Sequence, residues 1–188
     1  MIKKDIIQPI NDLIEKRAKE LKNKIAYADE TEKISYENLN IETKRLSFYL
    51  NEKKLNYGDA ASIILPNSVN WIVSCFAIIR LGCLVVPISY DSTLSEIEYK
   101  LNDSNTKILI TTNEIKVKIK KQLELKNEIQ FITVDDQKSD LNLTKVRKIN
   151  HQSILLKDDI NKPSYILYTS GTTCLLYTSD AADDGVGV

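Results

Sequence analysis

What this chain lacks excludes several kinds of chemistry. It has one histidine, His151, which leaves no partner for a His-based triad or a His-rich metal site. Its cysteines show no CxxC and no Cys/His spacing, so a zinc motif is absent. Cys75 and Cys83 lie among apolar neighbours, which predicts buried free thiols in a reducing compartment. Glycine is scarce, at five residues, and neither G-x-G-x-x-G nor Gly-Lys-Ser/Thr follows an apolar run. The dinucleotide fingerprint and the Walker-type phosphate loop are therefore missing. The most apolar run, Trp71 to Ile79, is far shorter than the roughly 20 residues that span a bilayer. The opening Met1-Ile2-Lys3-Lys4-Asp5 leads into an apolar stretch broken by Gln8, Pro9 and Asn11, which is no signal peptide. Cytoplasm is the expected location.

An excess of one charge is missing too. The chain carries 26 basic and 26 acidic residues; three of the acids, Asp180, Asp183 and Asp184, fall after residue 173. Residues 1–173 are thus only mildly positive, with the charge spread along the chain, which argues against a nucleic-acid or acidic-membrane partner. The cluster Lys116–Lys121 interleaves with Ile115, Val117 and Ile119, so it reads as the solvated side of a helix.

The last residues differ in kind from the rest. Cys174 to Val188 contains no Lys, Arg, Asn, Ile or Glu, although Lys, Asn, Ile and Glu are frequent before it, and no linker prepares the change. Cys174 to Asp183 also resembles a translated sequencing adapter. Residues 174–188 are therefore expected to be a non-native tail, and 1–173 a single unit large enough for one sizeable core.

Within 1–173 the spacing predicts a helix over Asp5–Leu21, with Ile6, Ile10, Leu13, Ile14, Arg17 and Leu21 on one face. Two extended pieces follow, Lys24–Ala28 and Lys33–Ser35, and then a helix capped by Ser35 with the stripe Leu39, Leu46, Leu50. After Gly58-Asp59, continuous apolar runs alternate with helices. The strands are Ala60–Leu65, Leu84–Ile88, Lys107–Thr111 and Glu128–Val134; the helices are Val69–Leu81, Leu94–Asn102 and Asn113–Leu125. Ser68 and the capping box Thr93-Leu94-Ser95-Glu96 mark two of the helix starts, and Gly82 marks one stop. The stretch Asp135–Asp159 is polar and weakly patterned, which predicts a surface connection with a short helix near His151–Leu156. Asp135-Asp136 and Asp158-Asp159 have no third ligand at usable spacing and read as loop acids. Apolar strands alternating with helices predict an α/β fold, a parallel sheet layered with helices.

The last predicted strand, Ser164–Tyr168, runs into Thr169-Ser170-Gly171-Thr172-Thr173. Hydroxyl donors around a glycine, delivered at the carboxyl end of a strand, form a pattern suited to gripping phosphate. Alone, the string is also compatible with an ordinary turn.

Three further strings weigh against the turn. Ile34-Ser35-Tyr36-Glu37-Asn38-Leu39, then Gly58-Asp59 with Ile63-Ile64-Leu65-Pro66-Asn67-Ser68, then Ile79-Arg80-Leu81-Gly82-Cys83-Leu84-Val85-Val86-Pro87-Ile88 precede it in order. With Tyr168–Thr173 they resemble the successive landmarks of the adenylate-forming (AMP-binding) superfamily over roughly residues 10–173. That superfamily includes acyl-CoA synthetases and peptide-synthetase adenylation domains. The resemblance implies a carboxylic acid activated by ATP to an acyl-adenylate with release of pyrophosphate, and transfer to a thiol such as that of CoA. It implies Thr169, Ser170, Gly171, Thr172 and Thr173 as phosphate-loop residues, with ATP, Mg²⁺ and CoA as cofactors of the intact parent.

The departures matter equally. The family loop continues with a glycine and a basic residue where Cys174 and Leu175 stand here, and its later motifs are missing, so no catalytic residue is assigned. The resemblance is to the leading part of an acyl-CoA synthetase-like ligase, itself inactive. A non-catalytic nucleotide-binding module, a peptide-synthetase adenylation fragment and an inert gene fragment remain as alternatives. The source DNA separates them: an enzyme's reading frame continues past Thr173 with Gly and, within a few residues, Pro-Lys-Gly. A genuine stop codon near residue 188 favours the non-catalytic module instead.

Overall fold

The computed structural model describes residues 9–135, 143–147, 161–169 and 175–177. Helix α1 spans Ile10–Leu21 and is followed by an antiparallel hairpin, β1 (Ile25–Ala28) and β2 (Lys33–Ser35). Helix α2 (Tyr36–Glu52) starts where the Ser35 side chain accepts a hydrogen bond from the Asn38 amide at 3.2 Å. That cap satisfies one of the donors a helix start leaves open.

The centre is a four-stranded parallel sheet of β3 (Ala60–Ile64), β4 (Leu84–Pro87), β5 (Ile108–Thr111) and β6 (Gln130–Thr133), in the order β4-β3-β5-β6. The connections are α3 (Val69–Arg80), α4 (Leu94–Asp103) and α5 (Asn113–Gln122). Parallel strands bury both faces, and the alternation along β3 shows it. Ala61 and Ile63 face a core shared with α2 and α3, while Ala60 and Ile64 face a second core built with Ile97, Leu101, Ile115 and Ile119 of α4 and α5. The chain is thus mixed α/β, with helices layered on a parallel sheet, as the apolar runs predict.

Local chemistry sets the boundaries. Ser68 caps α3 through the Trp71 amide, and Thr93 with Glu96 forms the predicted capping box on α4. Gly82, at φ 68°, closes α3: its amide donates to the Ile79 carbonyl, and the Cys83 amide donates to that of Ile78. This pair of bonds satisfies carbonyls the helix end would otherwise expose, and it needs a residue that tolerates positive φ. Gly58, at φ 82°, makes the turn before β3.

Three expectations are corrected. Leu13 and Arg17 of α1 face solvent, whereas Asn11, Ile14 and Ala18 are buried. The inward face is rotated because Ala and Asn fit closely under the neighbouring helices. Secondly, the predicted surface connection after Asp135 is partly core: Leu143–Val146 forms a short helix, α6, whose Leu143 and Val146 are fully buried. Two apolar residues three apart in a polar stretch are too few to register as a period. Thirdly, the strand expected over Ser164–Tyr168 is shorter, β7 (Ile166–Tyr168), and it pairs antiparallel with β8 (Leu175–Tyr177). Its tie to the parallel sheet is a parallel bridge between Val85 and Tyr165, with the Val85 amide donating to the Ser164 carbonyl at 2.8 Å. Strand β8 lies in the stretch set aside as a tail; backbone pairing makes little demand on side-chain identity. The helix expected near His151–Leu156, His151 itself, Asp136 and Asp158-Asp159 lie outside the described residues. Asp135 accepts a hydrogen bond from the Asn113 amide at the start of α5, which fits a loop acid.

A buried polar cluster ties these layers together. Arg147, 3% exposed, pairs with Glu32 at 3.0 Å and with Glu42, and donates to the Asn70 side chain. Nearby, Asp29 in the β1–β2 turn accepts from the Thr31, Glu32 and Val69 amides, which joins the hairpin to the start of α3. These donors, Val69 first, hold the Asp29 carboxyl well below the usual carboxylate range. Replacing Arg147 by Met strands Glu42 and Asn70 without their cation. Because Glu32 keeps 42% of its side chain in water, the expected loss is about 2–4 kcal/mol, somewhat less than for a wholly buried pair. Removing Lys118, whose pair with Glu114 is exposed, changes nothing measurable. Urea unfolding of both variants checks the contrast.

Candidate functional site

The site is built at the carboxyl edge of the sheet. Because Tyr165 pairs in parallel with Val85, β7 runs out past the same edge as β3 and β4, and Thr169 stands exposed directly after it. In layered parallel sheets ligands bind beyond that edge. Thr169 is where the sequence predicts it, at a strand end. Ser170, Gly171, Thr172 and Thr173 lie outside the described residues.

Side chains on β7 alternate as a strand requires. Ile166 and Tyr168 pack on the core of α4 and α5, Tyr165 packs on the core of α2 and α3, and Leu167 is 37% exposed. Tyr168 stacks edge-on against Tyr99, with ring centroids 5.9 Å apart, and its hydroxyl donates to Asp103 at 2.7 Å. Lys100 lies over the Tyr168 ring at 6.0 Å. Tyr165 shares a hydrogen bond with the Cys75 thiol at 2.9 Å.

Beside this strand, the residues that follow β3 and β4 enclose a recess of about 440 Å³. It is lined by Leu65, Pro66, Asn67 and Trp71 on one side and by Pro87 to Asp91 on the other. Trp71 packs partly on the core and partly lines this recess, and Phe76 packs on the core.

Burial pushes the Cys75 thiol up to about 11 and raises the Tyr165 phenol. Burial, helped by Asp59, pushes Cys83 up to about 12. A thiol must ionise to act as a nucleophile, so neither cysteine is one. Both are free and buried, as expected. Among the described residues no group of three or more His, Cys, Asp or Glu could hold a metal ion, and no helix is long and apolar enough to cross a membrane. Lys118 pairs with Glu114, and Ile115 and Ile119 are buried, so α5 has the solvated lysine side foreseen; Val117 shares that exposed side.

The profile of the AMP-binding enzyme family matches residues 14–175, most of the chain. The chain belongs to that family. It is 29% identical over 163 residues to gramicidin S synthase 2 of Brevibacillus brevis, a match covering 87% of this chain and 3% of that protein. Its fold superposes on the N-terminal domain of FACL13 from Mycobacterium tuberculosis with a TM-score of 0.77 at 22% identity, covering 89% of this chain and 42% of that one. With o-succinylbenzoate CoA synthetase (MenE) of Bacillus subtilis, in complex with the acyl-adenylate OSB-AMP, the TM-score is 0.69 at 22% identity, covering 89% and 40%. The chain thus spans a small part of its peptide-synthase relative and well under half of these structures. Family membership makes the sequence resemblance good, and the likeness of fold makes good the α/β expectation.

The partners of β7 were beyond the sequence reading. Tyr165 and Tyr168 stand in the string, but Cys75 and Asp103 are 90 and 65 residues away. In the folded chain, Cys75 and Cys83 are expected to resist alkylation by iodoacetamide at mildly alkaline pH and to label fully in strong denaturant. Peptide mass spectrometry reads the outcome, and rapid native labelling of either would contradict their burial.

Proposed function

We propose that residues 1–173 form the leading part of an ATP-dependent carboxylate-activating ligase, and that residues 174–188 are foreign to it. In this reading a carboxylate oxygen attacks the α-phosphate of ATP, the bond to the β-phosphate breaks, and pyrophosphate leaves as the acyl-adenylate forms. The acyl group then passes to a thiol, such as that of CoA, forming a thioester as AMP leaves and the thiol gives up its proton. The observation that carries the reading is the hydroxyl string beginning at Thr169, at the carboxyl edge of the parallel sheet, in a chain of the AMP-binding family.

Thr169, Ser170, Gly171, Thr172 and Thr173 would hold the β- and γ-phosphates. Charge grows on the departing pyrophosphate, and hydroxyl and amide donors already in place stabilise it without reorganising during the step. Mg²⁺ supplies charge neutralisation to the triphosphate in such reactions. No step is assigned to a side chain of this chain beyond binding, and the activating chemistry is placed on residues outside it.

A peptide-synthetase adenylation domain is the second reading, favoured by the likeness to gramicidin S synthase 2. It differs in the acceptor, a carrier-bound thiol in place of CoA, and in an amino acid as the substrate. The general acyl-CoA synthetase is preferred because the chain shows no carrier-domain sequence, and both readings share the same phosphate grip.

The test is a titration of ATP into the purified chain, followed by backbone amide shifts. Shifts centred on Tyr168–Thr173 are expected, reduced several-fold by Thr169→Val combined with Ser170→Ala. Shifts confined to other residues, or none, would sink the phosphate assignment. With a panel of carboxylic acids the same chain is expected to release no pyrophosphate. A burst of pyrophosphate would show that the activating groups lie within it after all.

A further inference from the structure

A strand of three residues makes few backbone bonds. Beyond its pairing with β8, β7 meets the parallel sheet at Val85, by the parallel bridge to Tyr165 and the hydrogen bond from the Val85 amide to the Ser164 carbonyl. An isolated two-stranded pairing such as β7–β8 is marginal in water and does not fix its own direction. Something else must set the course of the chain as it enters the hydroxyl string.

Two phenols do so, from opposite faces. On one side, the Tyr165 hydroxyl and the Cys75 thiol of α3 are 2.9 Å apart, with Cys75 only 1% exposed. On the other, α4 holds Tyr168 through the bond to Asp103 at 2.7 Å, a longer one to the Lys100 carbonyl at 3.5 Å, the edge-on ring contact with Tyr99, and Lys100 over its ring. Ile166, 7% exposed, sits between the two tyrosines and fills the α4–α5 core. Tyr168 directly precedes Thr169. A displacement of its Cα therefore passes almost in full to the first hydroxyl, about 3.3 Å further along the strand.

We propose that Tyr165 and Tyr168 are positioning residues for the hydroxyl loop, clamping β7 between α3 and α4 so that Thr169 and its successors start from a fixed place. The inference rests on the reading of residues 169–173 as a phosphate loop. The clamp acts through Cys75 and Asp103, the partners of the two phenols. The Tyr168–Asp103 bond carries the larger share, because its acceptor is a carboxylate and it lies nearest the loop.

Tyr168→Phe removes one oxygen and keeps the ring on Tyr99. The expected result is amide hydrogen exchange about three- to tenfold faster over residues 169–173, with an unchanged melting temperature and an unchanged rate in β3–β6. Inorganic tripolyphosphate, used as the probe, should bind more weakly by a similar factor. Asp103→Ala should reproduce this, Asp103→Asn should largely restore the unsubstituted behaviour through its side-chain carbonyl, and Tyr168→Phe with Asp103→Ala should be no worse than either alone. Tyr165→Phe should act in the same direction with a smaller effect.

Three results overturn the clamp. They are unaltered exchange in 169–173 for Tyr168→Phe, exchange there already at unprotected rates in the unsubstituted chain, or acceleration across the whole sheet with a lowered melting temperature. The last would mark a merely structural bond. If the unsubstituted chain binds no tripolyphosphate, the phosphate reading falls alone. The exchange data still decide whether the phenols hold the strand.

Discussion

Strands that run parallel deliver their carboxyl ends to one edge, and everything said of the hydroxyl string depends on β7 sharing the direction of β4. That rests on a short piece of pairing, the Val85 amide on the Ser164 carbonyl and the bridge from Val85 to Tyr165. Were β7 to meet β4 antiparallel, Thr169 would emerge at the opposite edge, away from the recess beside Trp71 and Ser89. Side chains add to that pairing: Tyr165 packs on the α2–α3 core, and Ile166 with Tyr168 on the α4–α5 core.

The same logic explains the polar groups inside the molecule. Ser62 bonds Thr106 at 2.6 Å and Thr106 bonds Ser104 at 2.7 Å, a chain of hydroxyls that links β3 to the residues before β5. Arg147 is a costlier version, since a guanidinium at 3% exposure needs both carboxylates and the Asn70 amide oxygen to offset its desolvation. Its return is geometric. One side chain ties the β1–β2 hairpin, α2, α3 and the residues after α6, which brings the connection between β6 and β7 back over the first layer of helices. Such clusters add little net stability for their size, yet they accept only one arrangement of the elements they join.

Much of the fold could be read directly from the chain. Each strand predicted between Ala60 and Val134 is a strand of the parallel sheet, because a strand buried on both faces shows as a short apolar run without polar alternation. Ser35, Ser68 and Thr93 announced helix starts because a hydroxyl acceptor there satisfies local amides, and local chemistry is legible in sequence. What stayed hidden was long-range or too short to have a period. Leu143 and Val146 are two apolar residues in a polar stretch, and Arg147 resembles any surface cation until Glu32 and Glu42 are seen beside it. The inward face of α1 was misjudged because Asn11 and Ala18 are not strongly apolar, while Leu13 is. In the site, the string after Tyr168 was legible as chemistry, whereas the grip on its leading strand involves residues 65 and 90 positions away, which no local pattern connects.

The likeness to a peptide synthase by sequence and to CoA synthetases by fold presents no conflict once the division of labour is considered. Phosphate is the same group whatever acid is activated, so the part of a ligase that holds it is under the same geometric demand in both branches. The acid and the thiol differ between them, and groups that recognise either must sit where those molecules approach the α-phosphate. Across the described residues, the groups bonded to the strand before Thr169 are engaged in pairs, one phenol with a buried thiol and the other with a carboxylate. On the proposed reading, such a segment would carry the grip on the leaving pyrophosphate and leave recognition of the acyl group to other residues, and so would resemble both branches of the family at once.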